Sequence, residues 1–551
     1  MLETSPAAPA AAEDLRGRTE PWTRPEWALL FVLVAAGLLL RLYHLSAEGF
    51  GDDEVRKWLS ANEYLAGRFG GEGVEHPMLM KLLITFALAI GKNFGWEPET
   101  ITRLPNALVG GLSILVVAQL GKRLFGRTAG LFSAGLATFC ITLIGYQRVA
   151  KEDTLLGVFL MLLCLCFAEA NAAAQDGRID EQKRWELWGA ASLAGMLASK
   201  YFAFLAPVAL VAYFWLRRGD TPWRMPFKRW LQLIGIAFLI WCCVNWLAFY
   251  PSTWRYATSY VSGQQTVHGS LFFMGRIYHN LVEYAFNGTP PWFYVVFAAV
   301  KLAPVTVLFA AAGLAVALFQ RRDAHKIILS WMAVWFFVHS LSGSKWGRFF
   351  TSVLPAFLLL AGYAASLLVR ALRARVPARV AAPALGLLLF ASEAAAAVTH
   401  APHYRLYINA FGGGDRNVTW FFPHCDYFDA GFREAIQYIA AHAEPGAEVS
   451  TEIDWPSELY ASRAGRPDLV QSLNRRGQAC RLTQKNCYVV VQTGRLYFLN
   501  QDGVAYLAQR EPWHVERIRG EDVVKVYKLA PGELPYPGEL PGPGTASRTP
   551  H

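Results

Sequence analysis

Charge is scarce in this sequence. Asp, Glu, Lys and Arg make up only 17% of the 551 residues, against 54% hydrophobic, and the mean hydropathy is +0.24. A soluble globular chain carries charge at about a quarter of its positions, so this balance excludes an ordinary soluble protein and indicates a polytopic membrane protein. A signal peptide is missing as well. The first twenty-odd residues are rich in Ala, Pro and charge, with no apolar core and no cleavage site. Residues 1–25 therefore read as a disordered cytoplasmic leader, and the helices themselves carry the membrane address. Cysteine is sparse, and none of its spacings is that of a metal centre. Cys140, Cys164, Cys166, Cys242 and Cys243 fall in apolar runs and read as small core hydrophobes. Cys425, Cys480 and Cys487 lie near the C-terminus, where Cys480 and Cys487 could close a disulfide if that region is extracytoplasmic. No usable internal repeat is present.

A net charge of +10 raises the question of nucleic acid, but the basic residues share no helix face. They sit in short gaps between apolar runs: Lys122, Arg123 and Arg127; Arg178, Lys183 and Arg184; Arg217, Arg218, Arg224, Lys228 and Arg229; Arg321, Arg322 and Lys326; Arg370, Arg373, Arg375 and Arg379. This is the pattern of the positive-inside rule, and it argues for membrane lipids rather than nucleic acid as surroundings. A crossing helix needs about 20 apolar residues. Candidate spans are 27–45, 101–120, 129–147, 154–170, 188–200, 201–216, 230–250, 292–318, 326–341, 348–369 and 380–398. The pair 188–200 and 201–216 meets at Ser199-Lys200 and reads as a tight helical hairpin.

The run 77–94 is the exception. If it crossed, every later basic loop would change sides; as an interfacial or re-entrant segment it keeps all the basic clusters on one side. That parity predicts a multi-pass plasma (inner) membrane protein with a cytoplasmic N-terminus. It puts outside the first loop 46–100, the turn 148–153, Lys200, the aromatic loop 251–291, residues 342–348 and the C-terminal region. The fold class expected is a mostly α, polytopic helical bundle over 26–400, with about 11 spans. A small extracytoplasmic α/β domain follows over 401–530, with a helix at 431–442 and strands at 448–453, 488–492 and 523–528. A disordered Pro/Gly tail occupies 531–551.

The outward segments place carboxylates and cations at one membrane level. Asp52, Asp53 and Glu54 open the first loop, Glu152 and Asp153 lie at the second outward turn, and the cations are Lys81, Arg103, Arg148, Lys200, Lys345 and Arg348. An acidic pair at a helix end is often only a cap favoured by the helix dipole. Several carboxylates together with cations fit transfer of a sugar from a lipid phosphate, which needs a base for the acceptor and positive charge for the leaving phosphate. The same charges could serve a transporter or lipid-sugar flippase, but that class predicts charge at the bilayer midplane and two related halves. The acidic cluster could hold a divalent cation, though no spacing demands one, so no cofactor is assigned. His44, His325 and His339 read as structural, and Tyr146, Gln147 and Trp346 either stack on a sugar or belong to the aromatic belt.

Several of these segments resemble the protein O-mannosyltransferases. Asp53-Glu54 after the first span, followed by His76-Pro77-Met78-Leu79-Met80-Lys81-Leu82-Leu83, is similar to their acidic pair and His-Pro-Pro-Leu-x-Lys-Leu-Leu motif, with Met78 in place of the second proline. Arg103-Leu104-Pro105, Arg148 with Asp153, Gly288-Thr-Pro-Pro-Trp292 with Lys301, and Ser344-Lys345-x-x-Arg348 resemble further elements in the same order. Asp53-Glu54-Val-Arg56 also resembles the Asp-Glu-x-x-Arg of the lipid A aminoarabinose transferases. The resemblance covers roughly 30–400. It implies the GT-C membrane fold of a phospholipid carrier-dependent glycosyltransferase, inverting, with a polyprenyl-phosphate sugar donor used on the outer face and a protein, lipid A or glycan hydroxyl as acceptor. Carried over, the catalytic base falls on Asp53 beside Glu54, with Asp153 also in the catalytic group; Asp52 leaves the register open by one residue. Arg56, His76, Lys81, Arg103, Arg148, Lys200, Lys345 and Arg348 would bind substrate.

Overall fold

The computed structural model describes residues 20–69, 74, 76–201, 205–217, 223–261, 269–536 and 538. Most of the expected leader, Glu75, Arg218, part of the aromatic loop and most of the tail lie outside these residues. Among the described residues seven helices are long and apolar enough to cross a membrane: Arg24–Leu42, Pro98–Phe125, Asp153–Gln175, Phe227–Val244, Asp323–Leu341, Leu354–Leu372 and Ala378–His400. Arg127–Phe139 and Ile141–Gln147 make an eighth if this pair, bent by 59° at Cys140, is one span. Helices 98–125 and 127–139 approach closely because glycine faces glycine: a Cβ on Gly121 would stand 2.9 Å from the Gly130 Cα.

The remaining expected spans are helical but differently cut. The anticipated hairpin at Ser199-Lys200 is unequal: a 21-residue helix, Ile179–Ser199, begins well before the apolar run, and its neighbour, Pro207–Arg217, has only 11 residues. The run 292–318 is two helices, Phe293–Lys301 and Pro304–Gln320. Pro304 disfavours helical backbone in the residue before it, which breaks the run there. The span expected from 348 starts at Leu354, because Gly347–Ser352 forms a short 3-10 turn and leaves Arg348 outside it.

The segment excluded by parity is the helix Met78–Gly91, followed by a single turn, Lys92–Phe94. Its 14 residues extend about 21 Å, short of the roughly 30 Å hydrocarbon core. It packs on the first-loop helix Asp52–Leu65 and on neighbouring spans, burying Ala61 with Met80, Ile84, Ala87 and Leu88.

Among the described residues two sheets lie outside the helices. Strands β1 (Ser270–Phe273) and β2 (Arg276–His279) form an antiparallel hairpin in the aromatic loop. The C-terminal region carries β3 (Glu448–Thr451), β4 (Val470–Leu473), β5 (Cys487–Gln492), β6 (His514–Ile518) and β7 (Glu521–Leu529), ordered β4-β3-β5-β7-β6. β3 runs parallel to β4 and β5, whereas β7 is antiparallel to β5 and β6. The expected helix is Phe432–His442, and Cys480 and Cys487 are disulfide-bonded. The alternation-poor edge strands β4 and β6 and the helix Asp454–Arg463 were not legible in the sequence. That helix packs on Asp52–Leu65, so the C-terminal region sits over the first loop.

Candidate active site

The helix Asp52–Leu65 begins with three carboxylates at its positive end, where the free amides of the first turn favour anions. The structure gives each a different environment. Glu54 is buried and faces Arg103, whose Nε and Nη2 donate to its two oxygens at 2.9 and 2.6 Å. The amides of Ala150 and Gly51 complete the shell at 2.8 and 2.9 Å. Burial alone would raise this carboxyl, but the guanidinium and the amides outweigh it and hold it below its ordinary range. Asp52 points to the C-terminal region, 3.2 Å from Arg495, while its backbone N–H donates to Asp429 and its carbonyl accepts from the Trp455 indole. Arg495 in turn grips Asp429 through Nε and Nη2 at 2.6 and 2.7 Å. Asp53 remains: its side chain is 35% exposed, against 1% for Glu54, so it can still meet a ligand.

The turn 148–153 meets this helix. Asn106 donates to the carbonyls of Val149 and Lys151 and holds the turn on the helix Pro98–Phe125. Lys151 reaches across to form an ion pair with Asp53, and Arg348 approaches the same carboxylate at 4.0 Å. Arg348 also stands 3.8 Å from Asp153, which Lys200 binds at 2.7 Å. Glu152 takes Lys57 at 3.2 Å and lies 3.9 Å from His76. Burial, with Arg348 beside it, draws the Lys151 ammonium down to about 7 against the pull of the surrounding carboxylates. Glu152 behaves oppositely: burial would raise it, but His76, Lys57 and Lys151 together hold it far below the usual carboxylate range.

Thus Asp53, Asp153, Lys200 and Arg348 are brought together, with His76 at the edge through Glu152. Other expected residues point elsewhere. Arg103 spends its remaining donors on the carbonyls of Leu45, Glu48 and Gly49, which fixes the loop entering the acidic helix. Arg148 donates to the carbonyls of Leu40, Arg41, Tyr43 and His44 and closes the C-terminal end of the first span, its guanidinium over Tyr404. Lys345 is buried, its ammonium on the carbonyls of Thr289 and Ser342, and burial draws it down to about 8. Lys81 is buried and donates to the His76 carbonyl at 2.7 Å, tying the His-Pro turn to its helix. Arg56 lies over the Trp455 ring at 4.4 Å. Arg103 thus holds Glu54 and backbone carbonyls and Lys345 holds backbone carbonyls, whereas Asp53 and Asp153 meet Lys151, Lys200 and Arg348.

Beside Asp53 opens a small chamber lined by Lys151, Arg348, Trp346, Tyr146, Arg405 and the segment His424, Cys425 and Phe428. The last four come from the C-terminal side of the chain, and no local pattern announced them. Phe428 is the keystone. It takes φ +52°, unusual for a bulky residue, and its ring fills the space that a Cβ on Gly51 would need, 1.8 Å from Phe428 Cε1. The same ring covers the Lys151 ammonium at 5.3 Å. His424 packs at a tilt against Trp346 and faces the Tyr497 hydroxyl at 3.0 Å; burial and Arg495 draw it down to about 3, so it is neutral. Lys151 lies between Arg148 and Asp153 in sequence, and that place in the turn 148–153 was the available signal. Among the described residues no group of three or more His, Cys, Asp or Glu could hold a metal ion.

Residues 75–248 match the family model described as dolichyl-phosphate-mannose-protein mannosyltransferase. Among curated proteins, undecaprenyl phosphate-alpha-4-amino-4-deoxy-L-arabinose arabinosyl transferase 2 of Pseudomonas fluorescens is 28% identical over 384 residues, covering 66% of this chain and 60% of its own length. Arabinosyl transferase 1 of the same organism is 25% identical over 60% of this chain and 57% of its own. The chain thus aligns with less than two thirds of the length of these relatives. Of solved structures, ArnT from Cupriavidus metallidurans in the apo state superposes with a TM-score of 0.56 at 15% identity, covering 91% of this chain and 97% of that one. The same protein bound to undecaprenyl phosphate gives 0.54 at 14%, covering 92% and 98%. The chain thus shares the GT-C-type membrane fold of ArnT and, over part of its length, is similar in sequence to the arabinosyl transferases and to the dolichyl-phosphate-mannose-protein mannosyltransferase family model.

Proposed function

We propose that this protein transfers a sugar from a polyprenyl-phosphate carrier to a hydroxyl acceptor on the extracytoplasmic face, with inversion at the anomeric carbon. The observation that carries the reading is Asp53: a half-buried carboxylate at a helix N-terminus, paired with Lys151 and Arg348 at the mouth of a chamber. In the donor, the anomeric carbon is bonded to a phosphate oxygen. The acceptor oxygen attacks that carbon, the bond to phosphate breaks, and the phosphate leaves with one more negative charge. Lys151 and Arg348 are placed to take up that charge, and as they turn to the phosphate Asp53 is released to accept the hydroxyl proton. Asp153 and Lys200 orient Arg348 from behind. The relatives' names, with undecaprenyl phosphate as carrier, support the donor class.

The orientation belongs to the same reading: N-terminus in the cytoplasm, C-terminal region outside. The positive-inside distribution supports it, as does a disulfide in the C-terminal region, since such bonds persist in oxidising compartments. This reading gives the leaving charge to Lys151 and Arg348 rather than to Arg103, Arg148 and Lys345, whose donors hold backbone carbonyls.

The test is transfer in proteoliposomes containing an undecaprenyl-phosphate-linked sugar, read as release of undecaprenyl phosphate. Asp53→Asn is expected to lose about 10²- to 10⁴-fold in rate, the usual contribution of a general base, while keeping the thermal stability of the parent. Transfer at the parent rate by that variant would remove Asp53 from the mechanism.

A further inference from the structure

The chain does not rise away from the bundle after its last span. Tyr404 packs with Ala396 and Ala397 of the span Ala378–His400 and with Ile141 and Ile144, and its hydroxyl donates to the Leu40 carbonyl at 3.0 Å. It therefore lies level with residues about one helical turn short of the span's end. Asn409 is tied to a deeper level. Its side-chain amide donates to the carbonyls of Ala299 and Leu302, both at 2.6 Å. The Leu302 carbonyl shares its peptide group with the Ala303 amide, and that amide faces Glu393 at 3.4 Å. Glu393 precedes His400 by seven residues, so it sits about 10 Å below the end of the span, and its side chain leans further toward the helix N-terminus. Asp415, by contrast, is held at that end, by His400 at 2.8 Å and by Arg519, which also donates to the Thr399 carbonyl. Residues 404–415 thus dip beside the span and return.

In the dip lies the single 3-10 turn Ala410–Gly412, where the Phe411 ring is 56% exposed. A large apolar ring on the outside of the bundle, carried below the end of a membrane span, meets acyl chains rather than water. The backbone suits that surrounding, because polar groups in lipid must be satisfied within the protein. The amides of Asn409, Gly412, Gly413 and Gly414 all donate to backbone carbonyls, and the Asn409 side chain also accepts from Gly412. Trp420, 42% exposed, follows next to Phe421, whose ring would stand 3.2 Å from a Cβ on Gly412. An indole of this kind suits the membrane–water interface, and the exposed Arg416 beside Asp415 suits the lipid phosphates.

From these levels we propose that residues 404–421 form a re-entrant ledge that seats Phe411 among the acyl chains of the leaflet in which the last span ends, with Arg416 and Trp420 at the headgroups. The partner is the lipid surface itself. The ledge runs on into His424, Cys425 and Phe428, so it ties the wall of the chamber beside Asp53 to the membrane.

The experiment measures the depth of nitroxide labels on the full-length protein in phosphatidylcholine vesicles. Labels are attached to Phe411→Cys, Ala410→Cys and Arg416→Cys, and to Arg517→Cys on the exposed strand β6 as a reference in water, each in a background carrying Cys242→Ala and Cys243→Ala. Oxygen concentrates among acyl chains, whereas a nickel chelate stays in water. The expected ratio of oxygen to nickel accessibility is above one at position 411 and below one at 416 and 517. A label at 411 that meets nickel more than oxygen overturns the ledge. Shielding of that label from both reagents also overturns it, as does dipolar broadening between labels, since a partner protein or a second copy would then cover the surface. If Phe411→Cys does not fold, the label at the neighbouring exposed position 410 is read by the same criteria.

Discussion

Glu54 and Arg103 form a two-pronged ion pair at 2.6 and 2.9 Å, one residue away from the half-exposed Asp53. The adjacency explains why an acidic pair in sequence does not mean two acids at one reaction centre. Successive residues at a helix start point about 100° apart, so Asp52, Asp53 and Glu54 address three different partners. Asp52 meets the C-terminal region, Asp53 meets Lys151, and Glu54 meets Arg103.

The first prediction separates these roles by substitution. Glu54→Gln leaves the Arg103 guanidinium buried without its counter-charge and should destabilise the protein by about 3–5 kcal/mol, the usual cost of breaking a buried pair. Asp53→Asn should keep the parent melting temperature and lose turnover. Thermal unfolding in detergent beside the transfer assay distinguishes them; a stable, active Glu54→Gln protein would contradict the structural role of that residue.

A second prediction concerns the clasp between the first loop and the C-terminal region. Arg495 binds both Asp52 and Asp429, and Gln492 also donates to Asp429 at 2.9 Å. Arg495→Gln should loosen the start of the acidic helix, seen as faster amide hydrogen exchange over residues 50–56 with little change in the distant span Leu354–Leu372. Unchanged exchange over 50–56 would show that the helix is held without the clasp.

The third follows from Lys151. Its folded-state pKa of about 7 lies below the ordinary lysine value, so the unfolded chain binds more protons between about pH 7 and 10.5. The sign is therefore that this group's contribution to stability improves as pH rises through that window, having been least favourable below it. Activity should move the other way, because an ammonium is needed for the leaving phosphate: donor affinity is expected to fall as pH rises past about 7, until bound phosphate itself raises the lysine. Lys151→Arg should push that alkaline limb upward by a unit or more, measured as the pH profile of kcat/KM. A limb that stays in place would assign it to another group.

A fourth prediction addresses the C-terminal region. The Cys480–Cys487 disulfide closes a short loop whose amides at Arg481, Leu482 and Thr483 donate to the buried Glu448 carboxylate. The chain-entropy estimate for a loop of this length is about 2.5 kcal/mol. Cys480→Ser with Cys487→Ser should lower stability by about that amount, read by denaturant unfolding followed through a probe in the sheet. No loss would mean that the Glu448 contacts alone hold the loop.

The membrane architecture was readable to a large extent because it follows from local composition. Apolar runs long enough to span, and basic residues gathered in alternate gaps, are properties of short stretches. The helix Met78–Gly91 illustrates this: parity excluded it from crossing, and its length agrees. Boundaries were less legible where a proline or a bend intervened, as at Cys140 and Pro304.

The sequence by itself determined that the chain is a helical membrane protein, that Asp53 lies in the loop after the first span, and that Asp153, Lys200 and Arg348 fall at the ends of apolar runs, since each depends on composition or a short motif. Only the tertiary structure decided which carboxylate stays available, that Arg103 and Arg148 are committed to backbone carbonyls, and that Lys151 faces Asp53. It also decided that Arg405, His424 and Phe428 close the chamber. The physical reason is distance along the chain: hydrogen-bond partners more than three hundred residues apart, such as Asp52 with Asp429 and Phe50 with Tyr460, leave no periodicity or spacing by which either could announce the other.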